Sequence, residues 1–392
     1  MAEPATHPAP LRGVRILAFE IYGAGPYGSQ ILAELGADVI KIESPSMGGD
    51  VSRSTGPFFL GPDDSHFFQA FSRGKRSLAL EIKTDEGRAD FERLVASADA
   101  VMNNLRGDQA EKLGITYKHL APLNPRIVCG HLSAYGRGNT RQSWPGYDYL
   151  MQAEAGLMSL TGEPDAPPAR FGVSMVDYMS GTMMASGLLA ALLAAARTGQ
   201  GCDVDVCLFD VALHQLAYTA VWAMNENYAV ERLPRGAHPT IAPTQLVRTA
   251  DGWGMLMCQT EKFWRLLCTL ADAAHLQADP RFADIAGRRT HLSALSADLD
   301  ALFASRTTAA WCALLAGQVP FAPVNSLMQA LDNPFVRETG MRDVASHPAR
   351  PEGLQMLACP IKIDGHRMPA QRAPTLGEHT ADILGNAARR LP

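Results

Sequence analysis

The stretch VRILAFEIYGAGPYGSQILAELGADVIKIE, residues 14–43, decides how the rest of the chain is read. VRILAF has the composition of a buried strand, and GAGPYG (23–28) is a tight glycine turn. YGSQILAELG (27–36) has helical spacing, and DVIKIE (38–43) is a second strand. Strand, turn, helix, strand is a βαβ unit, whose two strands lie parallel. Glycines at 23, 25 and 28 followed by Glu43 also spell a dinucleotide fingerprint. In that fingerprint the glycines let backbone amides reach a pyrophosphate, and the acid holds a ribose. The plainer alternative is that any turn this tight favours glycine and that an acid at this distance arises by chance. Residues 14–43 alone leave both readings open.

Outward from this unit the alternation continues to about Gly130. SLALEI, AVMNNL and RIVCGHLS are further strands, and EGRADFERLVASA is a helix opened by Thr84, Asp85 and Glu86. The expected fold is α/β: a Rossmann-like parallel-sheet large domain plus a smaller α+β domain. A small-residue helix over about 179–196 ends at RTGQG, and CDVDVC leads into a further helix. ERLPRGAHPTIAPTQ (231–245) carries three prolines and marks a boundary. The large domain is expected over 1–220 and is completed by 335–392. The small domain spans 228–330, and 331–392 returns to the large domain. No internal repeat is visible.

A chain of 392 residues exceeds one ordinary core, and its formal net charge of -5 gives no electrostatic footprint for nucleic acid or an anionic membrane. The seven cysteines show no CxxC or zinc spacing and read as reduced thiols of a cytoplasmic protein. The start, MAEPATHPAPLRG, lacks the layout of a signal peptide. The longest apolar run, TMMASGLLAALLAAA (182–196), reads as a buried helix too short to span a bilayer. None of the eleven histidines stands in a metal-binding arrangement, so no metal is expected. His66, His131 and His214 read as structural or loop residues.

Seven blocks, in order along nearly the whole chain, carry a resemblance. They are LGADVIKIESP (35–45), SRGKRSLALEIKTDEG (72–87), MNNLRGDQAEKLG (102–114), PGYDYLMQAEAGLMSLTG (145–162), FGVSMVDYMSG (171–181), RTGQGCDVDVCLFD (197–210) and QVPFAPVNSLMQALDNPFV (318–336). Together they resemble the class III CoA-transferases, the CaiB/BaiF and formyl-CoA transferase type. The resemblance implies an interlocked homodimer and places Gly23, Ala24, Gly25 and Pro26 beside the CoA thioester rather than under a dinucleotide. It implies acyl-CoA and carboxylic acid substrates, with no resident cofactor.

Such an enzyme must turn a free carboxylate into a thioester without ATP, so it passes the acyl group through a carboxylate of its own. Asp177 in MVDYMSG fits, placed just ahead of the 179–196 helix, where amides and dipole favour the charged form. The competing reading is that Asp177 is only an N-cap. The racemases of the same superfamily carry a His where this chain has Tyr147, whose ordinary pKa of about 10 suits it poorly to proton shuttling. Tyr147 and Asp148 resemble an aromatic and acidic pair lining the transferase site, and His238 lies near a loop that the family places by the active site. By family position Leu80, Ile82 and Lys83 border the adenine. Asn104, Leu105 and Arg106 border pantetheine and phosphates, and Lys112 and Leu113 the nucleotide end. Lys75 and Arg76 extend that cationic strip. Two departures, Gly23 for a polar residue and Ser44 for an Arg, bear on the acceptor. The expected activity moves CoA from a short acyl-CoA, such as succinyl-CoA or another dicarboxylyl-CoA, to a free acid through aspartyl anhydride and thioester intermediates. The alternatives are a racemase-like enzyme and an NAD-dependent oxidoreductase.

Overall fold

In the computed structural model, which describes residues 9–386, RILAF forms β1 (Arg15–Phe19), buried along its whole length. The chain continues through α1 (Ala24–Glu34), β2 (Asp38–Glu43), a short hairpin of β3 (Phe59–Gly61) and β4 (Asp64–Ser65), and α2 (His66–Ser72). Then come β5 (Arg76–Ala79), α3 (Asp85–Val95), β6 (Ala100–Asn103), the single turns α4 (Gln109–Lys112) and α5 (Tyr117–Leu120), and β7 (Val128–Ser133). After α6 (Asp148–Glu154), α7 (Met175–Thr198), β8 (Asp203–Cys207) and α8 (Leu208–His214) the alternation ends.

Six strands form one parallel sheet in the order β5-β2-β1-β6-β7-β8. From β1 the chain winds outward to β2 and β5, then returns to the other side of β1 as β6. The crevice between the carboxyl ends of β1 and β6 is therefore the switch point, where open α/β sheets bind ligands. One face of the sheet is sealed by Phe91, Leu94 and Val95 of α3 against Leu17, Ile40, Leu78 and Val101. Thr84 caps α3 by accepting from Gly87 N at 3.1 Å.

Contacts divide the chain into two units. One holds the chain up to Ala155, Phe171–Leu216 and everything from Phe335; the other holds Gly156–Arg170 and Ala217–Pro334. In the first unit, His379 N donates to Ser77 O and Ile383 joins the sheet core. The second unit has a three-stranded antiparallel sheet of β9 (Thr244–Arg248), β10 (Trp253–Met257) and β11 (Phe321–Pro323). Its core is built on Trp264, Phe282, Phe303 and Trp311.

Two expectations are corrected. The apolar helix is longer than read: α7 runs over 24 residues and starts at Met175, so Asp177 is its third residue and not its cap. By length and mean hydropathy of 1.6 it could cross a membrane, yet it packs on α1, β7 and β8. It is also not fully buried, since Met183 and Leu193 face outward at 38% and 54% exposure. Small residues hid this in the sequence, because a helix of Ala and Gly shows no clear apolar stripe.

Candidate active site

The glycines of GAGPYG turn out to have three separate causes. A Cβ on Gly23 would stand 2.9 Å from Asp177 Oδ2, and one on Gly25 would stand 2.7 Å from Asn104 Cγ. One on Gly28 would stand 2.5 Å from the carbonyl oxygen of Gly181, so α1 and α7 cross with their backbones nearly touching. Glu43 is equally committed. Arg53 grips both its oxygens at 2.8 and 2.7 Å, Ser77 donates at 2.6 Å, and Asp50 N donates at 3.1 Å. A buried carboxylate with that many donors has no capacity left for a ribose. The dinucleotide reading of residues 14–43 is thereby displaced.

The crossing of α1 and α7 brings the N-termini of both helices to the switch point, with the Asp177 carboxylate against Gly23. Two helix starts offer unpaired N–H groups and positive dipole ends at one place. Ser174, the N-cap of α7, makes no side-chain cap. Asp148, at the start of α6, does so instead: its Oδ2 accepts from Asp177 N at 2.9 Å while Oδ1 accepts from Gln152 Nε2 at 2.5 Å. Gln152 in turn accepts from Phe171 N at 2.8 Å.

The Asp177 carboxylate takes no hydrogen bond or ion pair from the described residues. Burial, reinforced by the nearby negative charge of Asp148, pushes it up to about 7. From the sequence, helix amides are expected to favour the charged form. In the structure desolvation outweighs them, because no amide donates to the carboxylate itself.

The other candidate residues fall into groups. Leu80 is in the sheet core, and Ile82, Leu105 and Leu113 lie half-buried against the same cluster. Lys83 is exposed, and so are Arg106 and Lys112 at the far side of β6, with Asp108 between them. Lys75 is not on a surface strip. Its Nζ is fully enclosed, 2.6 Å from Glu20 Oε1, and burial pushes it down to about 8. Arg76 pairs with Asp38 at 3.2 Å and with Asp382. Ala24 opens α1 beside Gly23, and Tyr147 is 66% exposed just ahead of Asp148. His238 belongs to the second unit, where its Nδ1 accepts from Thr240 N at 3.2 Å and its backbone N–H donates to Thr244 O. The reading of His131 as structural holds: it is buried and bridges Asn103 and Asp203 at 2.8 Å each. Sequence reasoning missed Asp50, Lys41 and Glu20, whose buried charges hold the β1–α1 turn. Their only signal was three charged residues in otherwise strand-like or glycine-bounded stretches.

Comparison with known proteins bears on this geometry. The model of CoA-transferase family III matches residues 11–380. The succinate–glutarate CoA-transferase of Agrobacterium fabrum is 33% identical over 405 residues, covering 98% of this chain and 97% of that protein. The succinyl-CoA:mesaconate CoA-transferase of Haloarcula hispanica is 32% identical, covering 96% of each. Among solved structures, a CAIB/BAIF family protein from Brucella suis superimposes with a TM-score of 0.85 at 33% identity, covering 97% of this chain and 100% of that one. With a parallel sheet, an aspartate at the switch point and a match over nearly its whole length, this chain belongs to CoA-transferase family III.

Proposed function

We propose that this enzyme moves CoA from a short acyl-CoA to a free carboxylic acid, with Asp177 as the covalent carrier. The observation that carries the proposal is the Asp177 carboxylate itself: desolvated, unbonded, at the meeting of two helix starts and beside the switch point. Above pH 7 it is ionised, and with no donor to quiet its oxygens it is a stronger nucleophile than a solvated carboxylate.

An Asp177 oxygen attacks the thioester carbonyl; the C–O bond forms, the C–S bond breaks, and CoA leaves as thiolate. The product is a mixed anhydride. The thiolate then attacks the aspartyl carbonyl, giving an aspartyl-CoA thioester and releasing the donor acid. The acceptor carboxylate attacks that thioester, making a second anhydride and freeing the thiolate again. Attack of the thiolate on the acceptor's carbonyl yields the new acyl-CoA and restores Asp177. No proton and no water is consumed, and donor, acceptor, CoA and Asp177 account for every bond made and broken. Holding thiolate and anhydride together makes each return step intramolecular, which can lower a barrier by roughly 7–11 kcal/mol.

Ile82, Leu105 and Leu113, half-buried, would offer the adenine and pantetheine an apolar edge backed by the buried Leu80, and the exposed Lys83, Arg106 and Lys112 would meet its phosphates. Two relatives named for succinate, glutarate and mesaconate support a small dicarboxylate on one side of the exchange. A homodimer is supported by the helix Ala217–Glu226, which reads AYTAVWAMNE yet buries none of its residues. Clefts of about 500 and 350 Å³ sharing Tyr27 and Tyr178 also lie open beside α7. The unpaired cysteines are consistent with the proposed cytoplasmic location. The test is a panel of carboxylates incubated with succinyl-CoA or acetyl-CoA and read by mass spectrometry. New acyl-CoA products that disappear in Asp177→Ala support the proposal; transfer that survives in that variant defeats it.

A further inference from the structure

The turn from β1 to α1 is held more tightly than a turn needs. Tyr22 stands in the left-handed region at φ 68°. That conformation is costly for a residue with a side chain and persists only where its surroundings impose it. The surroundings here are specific. Asn104 closes on the Ile21 peptide from both sides, its Oδ1 accepting from Ile21 N at 2.9 Å and its Nδ2 donating to Ile21 O at 2.8 Å. Asp50 Oδ1 accepts from Tyr22 N at 3.1 Å. Asp50 is anchored by Lys41, whose Nζ lies 2.7 Å from Asp50 Oδ2 and donates to Glu20 O at 2.7 Å. At the far end Lys75 donates to Pro26 O at 2.9 Å and to Glu20 Oε1 at 2.6 Å. The side chains of Lys41, Lys75, Glu20 and Asp50 are all fully enclosed.

Burying four charges around one turn is expensive, and apolar packing would hold an ordinary turn. Between the anchors lie Gly23, Ala24 and Gly25. As the first N–H groups of α1, theirs have no intrahelical partner and take no side-chain cap or other acceptor among the described residues, and Asp177 packs against Gly23. We propose that Asp50 and Asn104 are positioning residues for acyl transfer: by holding the Ile21 backbone and fixing Tyr22 in the left-handed form, they keep the free N–H groups of Gly23–Gly25 set beside the carbonyl that reacts with Asp177. The inference rests on Asp177 as the acyl carrier. Donors fixed in advance need no rearrangement when negative charge develops on that carbonyl oxygen.

Position 22 tests this without disturbing a buried charge, since Tyr22 is 39% exposed. Asparagine tolerates the left-handed region and valine resists it, while both remove the ring that faces Phe67. We expect kcat for Tyr22→Asn to exceed that for Tyr22→Val by about tenfold at a temperature where both are fully folded, with KM for acyl-CoA within about threefold in both, and Tyr22→Val to melt lower because its strain is borne by the folded state. We also expect Asn104→Ala to lower kcat. Tyr22→Gly, which needs no clamp to reach positive φ, should restore part of it. Equal kcat for Tyr22→Asn and Tyr22→Val, or no restoration by Tyr22→Gly in the Asn104→Ala background, overturns the proposal. Absence of any CoA transfer by the wild type overturns instead the reading of Asp177 on which it rests.

Discussion

Replacing Asp177 by Asn should inactivate the enzyme and stabilise it, by an amount that depends on pH. Asn keeps the size of the side chain and removes its ionisation. In the folded protein burial and Asp148 raise Asp177 to about 7, whereas an unfolded aspartate titrates at about 3.9. Below pH 4 both states hold the proton, and ionisation contributes nothing to stability. Between pH 4 and 7 the unfolded chain loses its proton while the native one keeps it, so wild-type stability falls as pH rises. Above 7 both are ionised and the penalty stays constant. The gap from about 3.9 to about 7, at about 1.4 kcal/mol for each pKa unit, is on the order of 4 kcal/mol. Melting curves of both proteins from pH 4 to pH 8.5 give the difference directly. For a domain of this size roughly 2 °C accompanies each kcal/mol, so the lead of Asp177→Asn over wild type should widen by several degrees from pH 4.5 to pH 8. Any fixed effect of the amide cancels in that comparison. A flat difference, or a lead that shrinks as pH rises, would refute the reasoning that Asp177 is held in a costly ionised state.

Other outcomes follow from the same geometry. The kcat/KM for acyl-CoA should rise as pH passes through about 7, where Asp177 ionises. Asp148→Asn should move that rise to lower pH in a pH–rate profile, because it removes the adjacent negative charge and still offers an acceptor for Asp177 N. Gly28→Ala should destabilise by about 1–3 kcal/mol in denaturant titrations, since its methyl meets the backbone of Gly181 and not a movable side chain. Arg106→Ala should raise KM for acyl-CoA several-fold with little change in kcat, as loss of a phosphate contact shared by ground and transition states would.

The sequence made the parallel sheet legible because its central strands are short apolar runs bounded by a turn or a helix start, and its edge strand DVDVC alternates acid and apolar residues. Thr84, Asp85 and Glu86 marked a helix N-terminus that the structure reproduces. GAGPYG was legible as a turn but not in its purpose. Whether a glycine admits a pyrophosphate, an aspartate or a crossing helix is decided by what stands opposite. Asp177, Asn104 and Gly181 stand opposite from 79 or more residues away. The start of α7 was set too late because Ser174, its N-cap, makes no side-chain cap, while Asp177 in MVDY is a better local cap candidate than any residue before it. Asp148 supplies the missing acceptor across space, which no local pattern encodes. Lys75 was read as a surface cation because charged residues are rarely enclosed. Its burial depends on Glu20, which lies in a separate segment 55 residues earlier. The helix after CDVDVC was legible as a helix, but not that Ala217–Glu226 buries none of its apolar residues, since a sequence does not say which core a helix joins.

The central claim is that Asp177 carries the acyl group. Incubating wild type with succinyl-CoA in the presence of hydroxylamine, then digesting it and measuring peptide masses, tests it most directly. An anhydride or thioester on the carboxylate is captured as a hydroxamate. The account predicts that adduct on Asp177, dependent on acyl-CoA and absent from Asp177→Asn. An adduct on Asp148 instead, or active turnover with no adduct on Asp177, would contradict it.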